Sequence, residues 1–176
     1  MRAIVAVIVV GTLSITGCSS RGSSKTRSGA NVDPWSTVGV GSVFESRTLT
    51  RLERPFVHQS ETTTKQTLVA RNDSEASIKI EISEGSKLSV QDVRIPLRHD
   101  EAPPCLGSTV TTADDECTVP AGTFHCTRTT VEVRQGDETR STVTWTAKSI
   151  PVPIKSVVKN ENMTTTTELT GLALAR

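Results

Sequence analysis

The chain has few aromatic residues, and beyond its first eighteen positions it lacks long apolar runs with helical spacing. Three Phe and two Trp are its only aromatic residues, with no Tyr. Apolar residues at intervals of three and four mark an amphipathic helix, so their absence argues against a helical domain. Thr and Val are abundant instead, and their branched side chains favour the pleated surface of a strand. These features together predict an all-β domain.

An excess of positive charge is also missing, since 20 basic residues stand against 19 acidic ones. The charges are unevenly divided. Residues 19–32 carry +3 from Arg21, Lys25 and Arg27, whereas residues 33–176 hold 16 basic and 19 acidic residues, giving −3. Nucleic-acid binding needs a basic surface, so a weakly acidic domain argues against a nucleic-acid partner.

Histidine is scarce, and its spacing matches no metal-ligand pattern: His58, His99 and His125. A site made from Cys117, His125 and Cys126 is conceivable, but adjacent residues of a strand point to opposite faces. The glycines of residues 38–43 (VGVGSV) lack the third glycine of a dinucleotide fingerprint. The sequence therefore predicts no catalytic residue, no metal and no cofactor, and the protein is expected not to be an enzyme.

The N-terminus has the pattern of an export signal. Met1-Arg2 is a short positive segment, and residues 3–13 are an apolar run that is interrupted only by Gly11 and Thr12. The run has the length of a signal-peptide core and is too short to span a bilayer. Residues 15–18 (ITGC) close it with an aliphatic residue, two small residues and Cys18.

This ending resembles the lipobox of bacterial lipoproteins. The resemblance implies cleavage before Cys18, acylation of the Cys18 thiol (palmitate among the acyl groups) and of its new amino group, and so a membrane partner held through Cys18. Several acyl chains hold a protein stably on a membrane. Ser19 follows the cysteine, which in a Gram-negative cell implies the outer membrane, facing the periplasm or the cell surface. An ordinary secretory signal with a chance cysteine is the alternative.

Three segments follow from this division: a signal peptide over residues 1–17, a lipid-anchored flexible tether over residues 18–32, and a β domain over residues 33–176. The tether (19–31, SSRGSSKTRSGAN) has no apolar residue larger than Ala and so cannot form a core. The domain shows about nine strand patterns that are separated by turn residues. The clearest is 76–84, where Ile78, Ile80 and Ile82 share one face.

Several local features are also predicted. Trp35 is expected to plug one end of the core, with ligand stacking as the alternative. The shift of apolar parity within residues 87–97 predicts a bulge near Asp92. Residues 114–116 (DDE) are predicted to form a turn, and residues 150–154 (IPVPI) an edge-like extended segment, because proline cannot donate to a ladder.

The C-terminal half resembles uncharacterised periplasmic half-barrel lipoproteins, which are distantly similar to the LolA/LolB lipoprotein carriers. The residues that carry the resemblance are 119–124 (VPAGTF), Trp145, 151–158 (PVPIKSVV) and a final Thr-rich strand. It implies one antiparallel, strongly curved sheet, forming a half-barrel or a small open barrel. In the carriers the concave surface holds acyl chains. Scarce aromatics and the lack of an evident lid helix are departures from that pattern.

Three cysteines remain once Cys18 is assigned to the anchor, and an exported protein favours one disulfide. A two-residue turn at Ala121-Gly122 would place Cys117 opposite Cys126 in a suitable geometry. A type I turn with a glycine bulge would instead separate the two side chains across the sheet. Cys117–Cys126 is the pairing predicted first, with Cys105–Cys117 as the alternative.

The function predicted from these observations is a membrane-anchored envelope lipoprotein with a non-enzymatic binding or structural domain. Its partner would be an envelope protein or a lipid. The alternatives are an acyl-chain carrier and an anchored hydrolase. A carrier would need an apolar concavity, and the predicted ligand-facing residues are Ile78, Ile80, Val143 and Trp145.

Overall fold

A computed structural model describes residues 33–53, 56–97, 108–135 and 138–175 of the protein. The predicted signal peptide, the tether with Cys18, and Cys105 lie outside the described residues. Among the described residues, no helix is both long and apolar enough to cross a bilayer.

The domain is one sheet of nine antiparallel strands in the order β4-β3-β2-β1-β9-β8-β7-β6-β5. After a short 3-10 helix η1 (Pro34–Ser36), the strands are β1 Val43–Leu52, β2 His58–Arg71, β3 Glu75–Glu84, β4 Lys87–Pro96, β5 Ser108–Val119, β6 Gly122–Gln135, β7 Glu138–Thr146, β8 Lys155–Lys159 and β9 Met163–Ala173. In the described part of the chain β4 and β5 are the two edges and do not pair, so the sheet is not closed into a barrel. The prediction of an open all-β sheet of about nine strands is confirmed.

The pairing registers divide the side chains between two faces, because successive residues of a strand point to opposite sides. We call face A the side that carries Ile78, Thr64, Thr48 and Thr144, and face B the side that carries Arg47, Trp145 and their neighbours. The cross-strand pairs, together with the alternation along each strand, place the members of each set on the same side of the sheet.

The core lies mainly at one end of face A, where η1 covers the start of β1. Asp33 caps η1 by accepting from the Trp35 N–H at 2.8 Å. Trp35 is 5% exposed and meets Phe44 edge to face, with 5.4 Å between ring centroids. Arg71 Nη1 donates to the Ser36 and Val38 carbonyls at 2.6 and 2.7 Å, which fastens this segment to β2. Trp35 therefore plugs one end of the core, as predicted.

The segment between β7 and β8 completes this end of the core. Ile150, Val152 and Ile154 are buried, although the segment is not itself a strand. The prediction of an edge position is wrong for the end of this segment, because the Ile154 N–H donates to the Trp145 carbonyl at 2.9 Å and the Ile154 carbonyl accepts from the Leu169 N–H at 2.9 Å. The prolines occupy the connection before the ladder begins, where no strand partner requires their N–H.

Two other local predictions are wrong. The β3–β4 register is continuous through Asp92, so there is no bulge in this pair. The parity shift arises because Leu88 and Val90 lie exposed on face B, whereas Val93 and Ile95 pack on face A. Residues 114–116 belong to strand β5 rather than to a turn.

Candidate functional site

Face A carries a row of hydroxyl side chains across seven neighbouring strands. Each member lies directly opposite the next in the pairing register. From β5 to β2 this hydroxyl row consists of Thr112, Thr129, Thr144, Ser156, Thr167, Thr48 and Thr62. Short branched or hydroxylated side chains suit a pleated surface, and cross-strand Thr pairs stabilise it through hydrogen bonds.

A second row runs beside the first and also lacks charged side chains. It consists of Val110, Val131, Thr142, Val158, Thr165, Thr50 and Ser60. The hydroxyls of Thr48 and Thr167 are 2.9 Å apart, and those of Thr50 and Thr165 are 3.3 Å apart. Most members of both rows are half-buried. Together the two rows form a neutral surface of hydroxyl and methyl groups.

Thr144 differs from its neighbours in the row. It is only 6% exposed, and its Oγ1 has no hydrogen-bond partner among the described residues. A buried hydroxyl without a partner is unfavourable, since it has lost its bond to water without a replacement.

Face B carries a different chemistry, centred on Trp145. The Trp145 Nε1–H donates to Asp115 Oδ2 at 3.0 Å, and Arg128 Nη1 lies 3.4 Å from the same oxygen. Lys155 Nζ lies 6.0 Å from the centroid of the Trp145 ring and 2.9 Å from Glu168. These contacts define the Trp145 cluster: Asp115, Arg128, Trp145, Lys155, Glu168 and Arg47, whose Nη2 lies 3.9 Å from Glu168.

The carboxylate of Asp115 is held in its ionised form. The bond from Trp145, the backbone N–H of Glu116 at 2.9 Å and the nearby charge of Arg128 lower the pKa of Asp115 below 3.8, against a smaller opposing effect of burial. An ionised carboxylate with fixed donors is a poor general acid or base near neutral pH.

Cys117 and Cys126 are buried free thiols on face B. The register pairs Cys117 with Phe124 and Asp115 with Cys126, with the turn at Pro120-Ala121. The prediction of direct opposition across an Ala121-Gly122 turn is therefore wrong. The thiols share a face but are diagonal neighbours, and such Cα atoms are usually about 7–8 Å apart, beyond ordinary disulfide reach. Cys105, the alternative partner, lies outside the described residues.

Burial also makes these thiols weak nucleophiles. It is the main cause that raises the pKa of Cys117 and of Cys126 above 9.0, and the neighbouring Asp115 acts in the same direction. Since the thiolate is the reactive form, a raised pKa reduces reactivity at neutral pH. In the described part of the chain, no group of three His, Cys, Asp or Glu is arranged to hold a metal ion.

The four predicted ligand-facing residues do not share a surface. Ile78 and Ile80 lie on face A and are 0% and 7% exposed, so they belong to the core. Val143 and Trp145 lie on face B, since Thr144 between them is the residue that faces Ser156 in the hydroxyl row. That prediction is wrong because the registers of the intervening strands decide which residues of β7 lie on the same face as Ile78. These registers place Thr144, and not Val143 or Trp145, on that face.

No family model matches the chain, and no curated protein matches it. Among solved structures, it is similar to a crystal structure of a Bacteroides fragilis protein that is described as exported and as having a YmcC-like fold. The likeness covers 77% of this chain and 97% of that chain, with 10% identity and a TM-score of 0.48. The relationships to bacterial lipoproteins and to the LolA/LolB carriers stay predictions.

Proposed function

We propose that the protein is a lipid-anchored envelope protein whose sheet domain binds a partner without catalysing a reaction. The anchor follows from the Cys18 sequence pattern. The binding role rests on one observation about the domain. The pKa values of its candidate catalytic groups are shifted away from neutral pH.

The strongest candidates for catalytic residues in the described domain are Asp115, Cys117 and Cys126, and the pKa of each is shifted in the direction that disfavours catalysis at neutral pH. The hydrogen bonds from the Trp145 indole and the Glu116 backbone N–H hold Asp115 as a carboxylate, and burial raises the pKa of the Cys117 and Cys126 thiols, which favours the protonated form at neutral pH. Catalytic acids, bases and nucleophiles need the opposite tuning, toward a pKa near the working pH. This tuning favours a binding domain over an anchored hydrolase.

The geometry also disfavours acyl-chain carriage. A carrier needs an open apolar surface, yet the isoleucines that would line it are closed into the core. In the two rows beside that core, eleven of the fourteen side chains carry a hydroxyl group, which would lose hydrogen bonds to water beneath an acyl chain. A polar partner therefore suits this face better.

Fractionation of the host cell tests the anchor, with Cys18→Ala as the matched variant. We expect the wild-type protein to stay in the membrane fraction after washing with high salt and alkaline carbonate. The variant should lose the acyl groups and be retained less firmly under those washes. A wild-type protein that washes off without detergent would contradict the anchor, and turnover of a bound ligand would contradict the non-enzymatic role.

A further inference from the structure

We propose that the protein pairs with a second copy of itself through strand β4, with the two β4 strands antiparallel about a two-fold axis. The inference goes beyond the proposed function, because it assigns a second copy of the chain to one edge of the sheet. Three observations carry it: the outward backbone groups of β4, the obstruction of the opposite edge at β5, and the side chains that two β4 strands would bring together.

The outer side of β4 carries backbone groups that have no partner among the described residues. The Leu97 N–H donates to the Ser74 carbonyl at 2.8 Å, so it points toward β3. Backbone groups alternate in direction along a strand, and the β3–β4 register is continuous along the whole of β4. Four residues therefore direct both N–H and C=O away from the sheet: Leu88, Val90, Asp92 and Arg94. Pro96 occupies the next outward position, where its missing N–H costs no ladder bond.

Strand β4 is also accessible from outside. Its first six residues are all exposed, and on face B the side chains of Leu88 and Val90 are 64% and 50% exposed. A long edge strand with exposed apolar side chains is a template for pairing with another strand, and bulges or central prolines are usual ways to prevent it. The register of β4 has no bulge, and its proline is at its last residue. This edge therefore lacks two of the usual protections.

The opposite edge, β5, is obstructed. Val119 and Gly122 flank a two-residue turn and bond across it, so the alternate residues of β5, including Glu116, direct their backbone groups outward. The Glu116 N–H donates instead to Asp115 Oδ1 at 2.9 Å. With Asp114, this strand carries three acidic residues and no basic one, so two β5 strands would repel each other. Pairing through β4 would therefore join two copies and stop, whereas a β4–β5 contact would continue from copy to copy.

An antiparallel pair of β4 strands would place its apolar side chains together. A two-fold axis at Val90 sets this residue opposite its symmetry mate and sets Leu88 opposite Asp92 of the second copy. Because Leu88 and Val90 are neighbours on face B, the two copies together form a cluster of four apolar side chains. Each charged residue of β4 then faces an uncharged one: Lys87, Asp92 and Arg94. An edge of mixed charge with one apolar pair is thus complementary to itself, which favours a second copy as the occupant.

Cysteine cross-linking in whole host cells tests the pairing. Val90→Cys puts a thiol on the two-fold axis, where the Cα atoms of a hydrogen-bonded pair are about 5.5 Å apart and within disulfide reach. After mild oxidation with diamide, we expect a dimer on a non-reducing gel, with peptide mapping placing the bridge at position 90 of both copies. Val69→Cys is the matched control, because Val69 is also an exposed valine but lies beside β2, in the interior of the sheet. The wild-type chain gives the background from the native cysteines.

Val90→Pro separates pairing from folding. The Val90 N–H points outward, so proline removes a donor from the proposed interface without removing a bond to β3. A chain with both Leu88→Cys and Asp92→Cys, which face each other across the proposed axis, should give a cross-linked dimer. Adding Val90→Pro should abolish that dimer, while the purified protein should still melt cooperatively near the temperature of its parent.

The inference is overturned if Val90→Cys gives no more dimer than Val69→Cys. It is also overturned if Val90→Pro leaves the cross-link between positions 88 and 92 unchanged, or if position 90 is bridged to a different protein, since that would identify another occupant of this edge. None of these outcomes affects the proposed anchor, because fractionation of the cell tests Cys18 independently of β4.

Discussion

Single residues on the two faces of the sheet differ in how their polar groups are satisfied. Asp115 has a partner from Trp145, one from the chain itself and a nearby cation. Thr144 has none among the described residues, although it is more deeply buried. The Asp115 carboxylate has its hydrogen-bond partners within the domain and stabilises it. The Thr144 hydroxyl has no such partner among the described residues, so its burial is unfavourable.

The contact between Trp145 and Asp115 should make stability depend on acid pH. The pKa of Asp115 is lowered in the folded protein, so the stabilisation is fully present above its unfolded value near 3.8 and is lost as the pH falls through the folded value. Trp145→Phe removes the indole donor. In thermal melts from pH 7 to pH 2, the variant should melt below the wild type at neutral pH, and the gap should narrow below about pH 4.

Asp115→Asn serves as the control for that experiment. With no carboxylate to ionise at this position, the effect of Trp145→Phe on the melting temperature should no longer change with pH. A gap that stays constant to pH 2 in the protein that retains Asp115 would refute the assignment.

The two buried thiols should be free and slow to react. In the purified protein at pH 7, we expect iodoacetamide to modify Cys117 and Cys126 much more slowly in the native state than in denaturant, because burial both blocks access and raises the pKa of each thiol. Peptide mapping without reduction measures both points. A Cys117–Cys126 bridge in that map would contradict the diagonal register.

At the scale of elements, the attachment of η1 decides whether this end of the core is closed. Arg71 on β2 donates to three carbonyls of the segment around η1: those of Trp35 at 3.3 Å, Ser36 at 2.6 Å and Val38 at 2.7 Å. Trp35 can pack on Phe44 only while this segment lies across the start of β1.

Arg71→Met keeps the apolar stem and removes the guanidinium nitrogen Nη1, which donates to the three carbonyls. We expect a loss of about 1 kcal/mol in the free energy of unfolding, discounted for the exposure of Arg71, measured by urea titration. In a Trp145→Phe background, the emission of Trp35 should shift to the red as the indole becomes wetter. Lys65→Met, an exposed change on the same strand, is the matched control, and an equal loss there would contradict the proposed role of Arg71.

For the molecule as a whole, local sequence patterns predicted where the strands lie in the chain, but not the register in which they pair. Alternation in 76–84 predicted β3, and branched residues with turn signals predicted about nine strands. The acidic stretch 114–116 was predicted to be a turn because its charges resemble a solvated loop. Asp115 is accommodated in a strand by Trp145 and Arg128, which are 30 and 13 positions away in the chain.

The candidate site was less predictable than the fold. Whether Ile78 and Trp145 share a face depends on the registers of the strands between β3 and β7, and an error of one residue in any pair reverses the answer. The hydroxyl row was missed for the same reason. Its signal in the sequence is the abundance of Thr in strands, but alignment across seven strands emerges only from the complete set of registers.

Native mass spectrometry of the protein purified from membranes of its own host tests the central claim most directly. An anchored, non-enzymatic binding protein should have the mass of a chain that begins at Cys18 and carries covalent acyl groups. It should carry no dissociable fatty acid. An unacylated mature chain or a released acyl ligand would contradict the claim.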